Sequence, residues 1–154
     1  MRFITMVCVT SGLAIALAGT ASAQESGEKK INMKNVPAAV QQAITKESAG
    51  ARLKGLATEV EGGKRLYEAE FDVNGHARDV SFDENGTVVS VEEEIALDKI
   101  PAPAREAIQK AAGTGKVTMV ETITAGGTSA FEAQLNKAGK KSEIKVDAAG
   151  QTVK

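Results

Sequence analysis

The sequence has 154 residues, of which 42% are hydrophobic and 3% aromatic, and its formal net charge is −1 at pH 7. This length suits about one domain, whose core must be built from Val, Ile, Leu and Ala rather than from aromatic side chains. A near-neutral chain without a block of Lys and Arg argues against nucleic acid as a partner, because nucleic-acid binding needs clustered basic side chains.

Residues 1–23 have the pattern of a secretory signal peptide. Arg2 is followed by an apolar run from Phe3 to Leu17 and then by Ala21-Ser22-Ala23, the small-x-small pattern that signal peptidase cuts. A transmembrane helix needs a longer run of about 20 apolar residues. We therefore predict cleavage before Gln24, a periplasmic or secreted location, and no stable membrane anchor after cleavage.

The only cysteine, Cys8, lies inside this signal. The mature chain is therefore expected to have no disulfide, no thiol nucleophile and no cysteine-bound metal. Residues 24–35, which include Lys29-Lys30, are predicted to be a flexible, solvated N-terminal linker.

Each half of the remaining chain is predicted to open with a helix. Pro37 and Pro101 suit a first helical position, where a missing N–H costs nothing. Apolar residues then recur at helical spacing in both halves, and glycine-containing stretches at Gly50 and Gly113 are expected to end the helices.

Strands are predicted after each helix. Tyr67, Ala69, Phe71 and Val73 alternate with acidic residues, which indicates a half-buried strand with its apolar side chains inward. Asn74-Gly75 and Asn85-Gly86 predict tight turns to the next two strands. A further strand, roughly 52–61 with its counterpart 116–125, has apolar residues of mixed parity, which a β-bulge would explain.

One sequence motif occurs twice in the chain. GGKRLYEAEFDVNG begins at Gly62, and GGTSAFEAQLNKAG begins 64 positions later at Gly126. The same offset aligns Val36-Pro37-Ala38 with Ile100-Pro101-Ala102 without a gap. We predict an α+β fold of two tandem repeats, 36–95 and 96–154, each one helix packed on an antiparallel sheet of about four strands. Tyr67 and Phe131 are then equivalent core anchors beneath their helices.

The pattern resembles a known family. VPAAVQQAI, leading to YEAEFDVNGHARDVSFDENGTVVSVEEE, is similar to the PepSY-like, or beta-lactamase-inhibitor-like, domains of secreted bacterial proteins, and the resemblance covers both repeats. It implies an extracytoplasmic α+β module that binds or restrains other proteins, such as a peptidase or another envelope protein. It brings no catalytic residues, no cofactor and no metal site.

Single residues give little support for catalysis. His76, the only histidine, follows a turn, and strand alternation places Asp79 and Ser81 on the face opposite it, so we predict no catalytic set. The turns at 72–75 and 83–86 are acidic but too short for a calcium loop. Glu92-Glu93-Glu94 is interpreted as a charged strand end that blocks edge pairing, with a basic partner as the alternative.

The outward sheet face is the candidate partner surface. Either it is simply a solvated face, as antiparallel sheets often have, or it is a concave partner surface that spans both repeats. The residues predicted to form the partner face are Glu68, Glu70, Asp72, Asp79, Glu132 and Gln134, and Ser81, Glu143 and Lys145 share this face. We predict a non-enzymatic protein-binding or inhibitor-type module, the alternative being an extracytoplasmic metal or small-ligand binding protein.

Overall fold

A computed structural model describes residues 28–153 as one antiparallel sheet of eight strands with two α-helices and two short 3-10 helices, Met33–Asn35 and Leu97–Lys99. The strands are β1 (Lys29–Lys30), β2 (Arg52–Glu61), β3 (Lys64–Val73), β4 (His76–Phe82), β5 (Val88–Glu94), β6 (Lys116–Ala125), β7 (Thr128–Lys137) and β8 (Lys140–Val146). Helix α1 (Ala38–Glu47) precedes β2, and helix α2 (Ala102–Ala112) precedes β6. Neighbouring strands in the sheet are neighbours along the chain. The predicted signal peptide lies outside the described residues.

The predicted α+β class is confirmed, and the strands form a single continuous sheet. β5 pairs with β6 from Ser90↔Ala125 to Glu94↔Glu121, which joins the strands of the first half to those of the second. The first half supplies β2 to β5 after its helix. In the second half three strands follow α2, and a single bridge, Val146↔Thr152, lies where a fourth strand was expected.

Both helices begin one residue later than the sequence predicts. Pro37 and Pro101 occupy the N-cap position rather than the first helical one, because their ψ angles of 146° and 141° are extended. α2 ends at Gly113, which has a φ of 54° that favours glycine, as expected from the sequence. α1 ends at Glu47 with Ser48 as its C-cap, two residues before Gly50, the position expected from the sequence.

Two hydrophobic cores lie on the same side of the sheet, one beneath each helix. Val40 and Ile44 of α1 pack with Tyr67, Phe71 and Phe82. In the second core, the buried residues are Ile100, Ala104, Ile108, Ala112, Val120, Ala133, Leu135 and Val146. The alternation read from the sequence therefore assigned the core-facing side chains of β3 and β7 correctly.

The predicted equivalence of Tyr67 and Phe131 holds for their facing but not for their burial. Tyr67 is 8% exposed, whereas Phe131 is only half-buried and packs at the border of the second core. Phe131 lies opposite Thr122 and Val146, while Tyr67 lies opposite Phe82, a large aromatic that closes the first core around it.

The predicted bulge is present. The register of β2 against β3 shifts between Leu53 and Gly55, and that of β6 against β7 shifts between Val117 and Met119. These shifts explain why the apolar residues of both strands lack a single parity.

Two equivalent turns pack tightly against the starts of the helices. A Cβ at Gly86 would lie 2.6 Å from the Ala39 carbonyl oxygen, and a Cβ at Gly150 would lie 2.5 Å from the Pro103 carbonyl oxygen. Both glycines also have positive φ angles, 80° and 78°. Each turn can therefore approach its helix closely only because the residue is glycine.

Candidate functional site

Carboxylates are concentrated on the sheet face opposite the two helices. Within residues 28–153, strand pairing places eleven of the 20 Asp and Glu residues of the chain there: Glu59, Glu61, Glu68, Glu70, Asp72, Asp79, Glu92, Glu94, Glu121, Glu132 and Glu143. We call this surface the acidic face. The net charge of the whole chain is only −1, and strand pairing also places Arg52, Lys64, Lys141 and Lys145 on this side of the sheet.

The carboxylates stand next to one another across strands. Glu70, Asp79 and Glu92 are successive cross-strand partners on β3, β4 and β5. Such partners have Cβ atoms about 4.5–5.5 Å apart, and like charges that face each other at this distance are destabilising.

A second row crosses the join between the two halves of the sheet. Glu94, Glu121 and Glu132 are successive partners on β5, β6 and β7, and Lys145 of β8 follows. The Lys145 Nζ lies 3.3 Å from Glu132 Oε2. Glu94 Oε2 accepts a hydrogen bond from the Ala77 backbone N–H at 3.2 Å. The continuous sheet therefore extends the acidic face from β3 to β7.

Several of these polar groups are shielded from water. Asp79, Glu121 and Glu132 are 7%, 2% and 7% exposed, although both helices pack on the other side of the sheet. The predicted alternative of an ordinary solvated face is therefore wrong for the centre of this surface.

Burial and neighbouring charges perturb two carboxyl groups strongly. Burial, followed by repulsion from Asp79, Glu28, Glu59 and Glu92, raises the pKa of Glu68 to about 8. Burial, followed by repulsion from Glu132, raises the pKa of Glu92 to about 7, against the opposing effect of Lys145. Near neutral pH the acidic face therefore holds bound protons.

The pKa values of other carboxyl groups on the acidic face are shifted in the same direction. Burial is the largest cause in each case, and it raises the pKa values of Glu59 and Glu143, with further repulsion from Glu61 and Glu132 respectively. Burial and repulsion from Glu70 likewise raise the pKa of Glu28, which precedes β1 at the edge of the face.

A cavity of about 740 Å³ opens on the acidic face beside β1. Glu28 and Ile31 line it from the N-terminal segment, while Glu68, Glu70 and Asp79 line it from the sheet. At Gly55 a Cβ would lie 2.9 Å from the Glu70 Cδ, so this glycine gives the Glu70 side chain room above β2. The cavity lining thus combines carboxylates with apolar side chains and with Lys30 and Lys54.

The structure brings the six predicted partner-face residues onto one surface, but they differ in environment. Asp79 and Glu132 are buried, and Glu68, Glu70 and Gln134 are half-buried. Asp72 instead belongs to a turn: its carboxylate accepts a hydrogen bond from the Gly75 N–H at 3.0 Å, and this bond lowers its pKa.

Sequence reasoning did not include Glu59, Glu92, Glu94 or Glu121 in the face. Glu59 and Glu121 lie on the strands with shifted register, where alternation gives no clear facing. Ser90, Glu92 and Glu94 occupy alternate positions on β5. This alternation could have assigned Glu92 and Glu94 to the acidic face.

The interpretation of Glu92-Glu93-Glu94 as an edge-blocking strand end is wrong. β5 is a central strand between β4 and β6, because the two halves share one sheet. Glu93 faces the helix side, where its Oε1 accepts a hydrogen bond from the Arg78 Nε at 2.9 Å. Arg78 also pairs with Glu47 at the end of α1 at 2.7 Å.

The other candidate residues lie in turns. His76 is exposed at the start of β4, on the rim of the cavity, and pairs with Val73 across the turn. The Asp83 carboxylate accepts N–H groups of Asn85 and Thr87 at 2.9 and 2.8 Å, which lowers its pKa. Across residues 28–153, no group of three His, Cys, Asp or Glu side chains is arranged to hold a metal ion.

Within the described part of the chain, neither helix has the length and apolar character needed to cross a membrane. No protein-family model and no curated protein sequence matches the chain.

Solved structures do resemble it. A protein of Bacteroides eggerthii described as periplasmic has 23% identity and a TM-score of 0.63 over 77% of this chain and 86% of its own. A DUF2874 family protein of Bacteroides uniformis has 23% identity and a TM-score of 0.60 over 77% and 87%. A BLIP-like protein of Bacteroides fragilis has 21% identity and a TM-score of 0.55 over 77% and 84%. At these identities the likeness shows the fold.

Proposed function

We propose that this protein is an extracytoplasmic, non-enzymatic binding protein of the PepSY-like class, built from two tandem units, 36–95 and 96–154. We further propose that its acidic face docks a segment of another protein that carries Lys and Arg. One observation carries the proposal: more than half of the acidic residues of a nearly neutral chain lie on one sheet face.

The charge arrangement supports a basic partner. Rows of carboxylates on adjacent strands repel one another, and the low dielectric near buried groups strengthens this repulsion. A basic segment laid across the face would relieve it, because each Lys or Arg would stand between carboxylates of neighbouring strands. Complementary charges of this kind favour association and select among partners.

The location is supported by two kinds of observation. Residues 1–23 have the signal-peptide pattern, and similar structures come from proteins described as periplasmic. The BLIP-like description of a neighbour supports an inhibitor-type role among the binding functions. A non-enzymatic role is supported by the position of His76, since strand alternation turns it away from Ser81 on the same strand.

Site-directed photo-crosslinking in the host tests this proposal. A photoreactive amino acid at Ser90 or Gln134, half-buried positions on the acidic face, is expected to capture a defined protein. The same amino acid at Gln109, which is exposed on α2, is the matched control. Crosslinked species that are equal at face and control positions would contradict docking on this face.

A second candidate is a carrier for a small cationic ligand. The cavity of about 740 Å³ favours it, since Glu28, Glu68 and Glu70 all line this cavity. Calorimetric titration of the secreted protein with calcium, zinc and a short diamine tests this candidate. Heat that saturates at one site, and that Glu70→Gln abolishes, would support it over a protein partner.

A further inference from the structure

We propose that docking of a basic segment on the acidic face is coupled to proton release, so that the face holds its partner more tightly at about pH 8 than at about pH 5. This inference rests on the proposed function and adds the regulation of the same site. Its structural basis is the placement of carboxylates as direct and diagonal neighbours on adjacent strands.

Glu68 occupies a position on β3 where acidic groups converge. Its direct cross-strand partners are Ala57 on β2 and Ser81 on β4, which carry no charge. The groups that act on it electrostatically are Asp79 on β4, Glu59 on β2, Glu92 on β5 and Glu28 beside β1. With these four carboxyl groups around it, Glu68 keeps its proton to a higher pH than an ordinary carboxyl group does. The basic side chains of Lys30 and Lys54 line the same cavity as Glu68.

Glu92 occupies a similar position at the centre of the sheet. Its direct cross-strand partners are Asp79 on β4 and Ile123 on β6. Asp79 is acidic, and the apolar Ile123 side chain excludes water. Glu132 on β7 and Glu59 on β2 add negative charge, and Lys145 on β8 opposes them. Lys145 already forms an ion pair with Glu132, whose Oε2 lies 3.3 Å from the Lys145 Nζ. Its positive charge therefore offsets less of the repulsion at Glu92.

A basic partner changes this balance. An opposite charge within about 4–6 Å favours ionised carboxylates, so the two groups would lose their protons as Lys or Arg approached. The carboxyl O–H bond breaks and its proton passes to the buffer, and the resulting carboxylate forms an ion pair with the ammonium or guanidinium group of the partner. Raised pKa values for Glu68 and Glu92 in the free protein place this exchange near neutral pH.

Linkage gives the direction of the pH effect. If the complex binds fewer protons than the free face, affinity increases with pH until the free groups are themselves ionised. Each released proton contributes at most about a tenfold change in affinity per pH unit. With two groups involved, we expect affinity to increase by at least about tenfold between about pH 5 and about pH 8.

Calorimetry of the secreted protein with an oligolysine peptide tests the coupling. Titrations at neutral pH in two buffers of different ionisation enthalpy give the number of protons released on binding. We expect between about one and two protons for the parent protein, one from each of the two carboxyl groups. The variant with both Glu68→Gln and Glu92→Gln is expected to release fewer, while Glu106→Gln, an exposed change on α2, is the matched control.

The outcomes separate the two proposals. Binding without proton release, or with an affinity that is the same at both pH values, would overturn the coupling and leave the proposed function standing. Absence of oligolysine binding at every pH, together with absence of a crosslink from Ser90, would overturn the proposed function itself. Gln has the shape of a protonated Glu, and thermal unfolding of each variant verifies that it is folded.

Discussion

Glu68→Gln is expected to make the stability of this protein less dependent on pH. The Glu68 carboxyl is ionised above an ordinary pKa of 4.5 in the unfolded chain, whereas the folded protein keeps it protonated up to about pH 8. The folded state therefore binds more protons than the unfolded state over this window. Its contribution to stability is fully present below about pH 4.5 and is lost as the pH increases toward 8.

The size of this stability loss follows from the two pKa values of Glu68, 4.5 in the unfolded chain and about 8 in the folded protein. Each pH unit between them costs the parent protein up to about 1.4 kcal/mol of unfolding free energy. From about pH 5 to about pH 7.5 the loss is therefore roughly 2–4 kcal/mol, a large share of the about 5–15 kcal/mol typical of a small domain. Gln cannot ionise, so the variant is expected to match the parent near pH 5 and to exceed it in stability near pH 7.5.

Urea unfolding followed by circular dichroism at the two pH values measures this difference. Glu106→Gln serves as the control, because Glu106 is exposed on α2 and lies away from the acidic face. A parent protein that is equally stable at both pH values, or a Glu68→Gln variant that follows the parent, would refute burial of Glu68 among carboxylates.

The remaining predictions concern the helix side of the sheet. Tyr67→Ala is expected to lower the free energy of unfolding by about 3–5 kcal/mol in urea titrations, because Tyr67 is buried under α1, while Tyr67→Phe should change it little. Phe131→Ala should cost less, about 1–3 kcal/mol, because Phe131 is half-buried; an equal loss at both positions would show that they are equivalent anchors after all. Gly86→Ala should lower the melting temperature more than Gly63→Ala, since both glycines have positive φ angles but only at Gly86 would a Cβ meet the Ala39 carbonyl. Identical melting temperatures for the two glycine variants would contradict the close approach of the turn to α1.

The sequence was sufficient to predict both α-helices, strands β2 to β8 and the facing of most of these strands. It did not predict β1, which lies in the segment expected to be a linker. Alternation on β3 and β7 separates buried Ala69 and Ala133 from Glu68 and Glu132 on the other side. Local rules act within a strand and its turn, so they also predicted the hairpin at Asn74-Gly75, where both φ angles are positive.

The join between the halves was not predictable by the same rules. Pairing of β5 with β6 is a contact between segments separated by α2, and no local pattern specifies it. For this reason Glu92 was read as part of a strand end rather than as the centre of a face. The facing of Glu121 was hidden by the register shift in β6.

The burial of side chains on the acidic face could not be predicted from the sequence pattern either. Alternation tells which side of the sheet a residue faces, but it does not tell how strongly neighbours shield that side. Glu132 therefore reads as an outward residue although it is 7% exposed. Phe131 shows the converse, since a large aromatic on the core side remains half-buried at the edge of its cluster.

The continuous β5–β6 ladder has a mechanical consequence. The two halves are joined by backbone hydrogen bonds between Ser90–Glu94 and Glu121–Ala125, so neither half can hinge against the other without breaking the ladder. Neighbouring strands lie about 4.8 Å apart, which puts β3 and β7 roughly 19 Å from each other. Any molecule that bridges Asp72 and Glu132 must therefore match a fixed span, and the backbone of the sheet sets the length of the partner that fits.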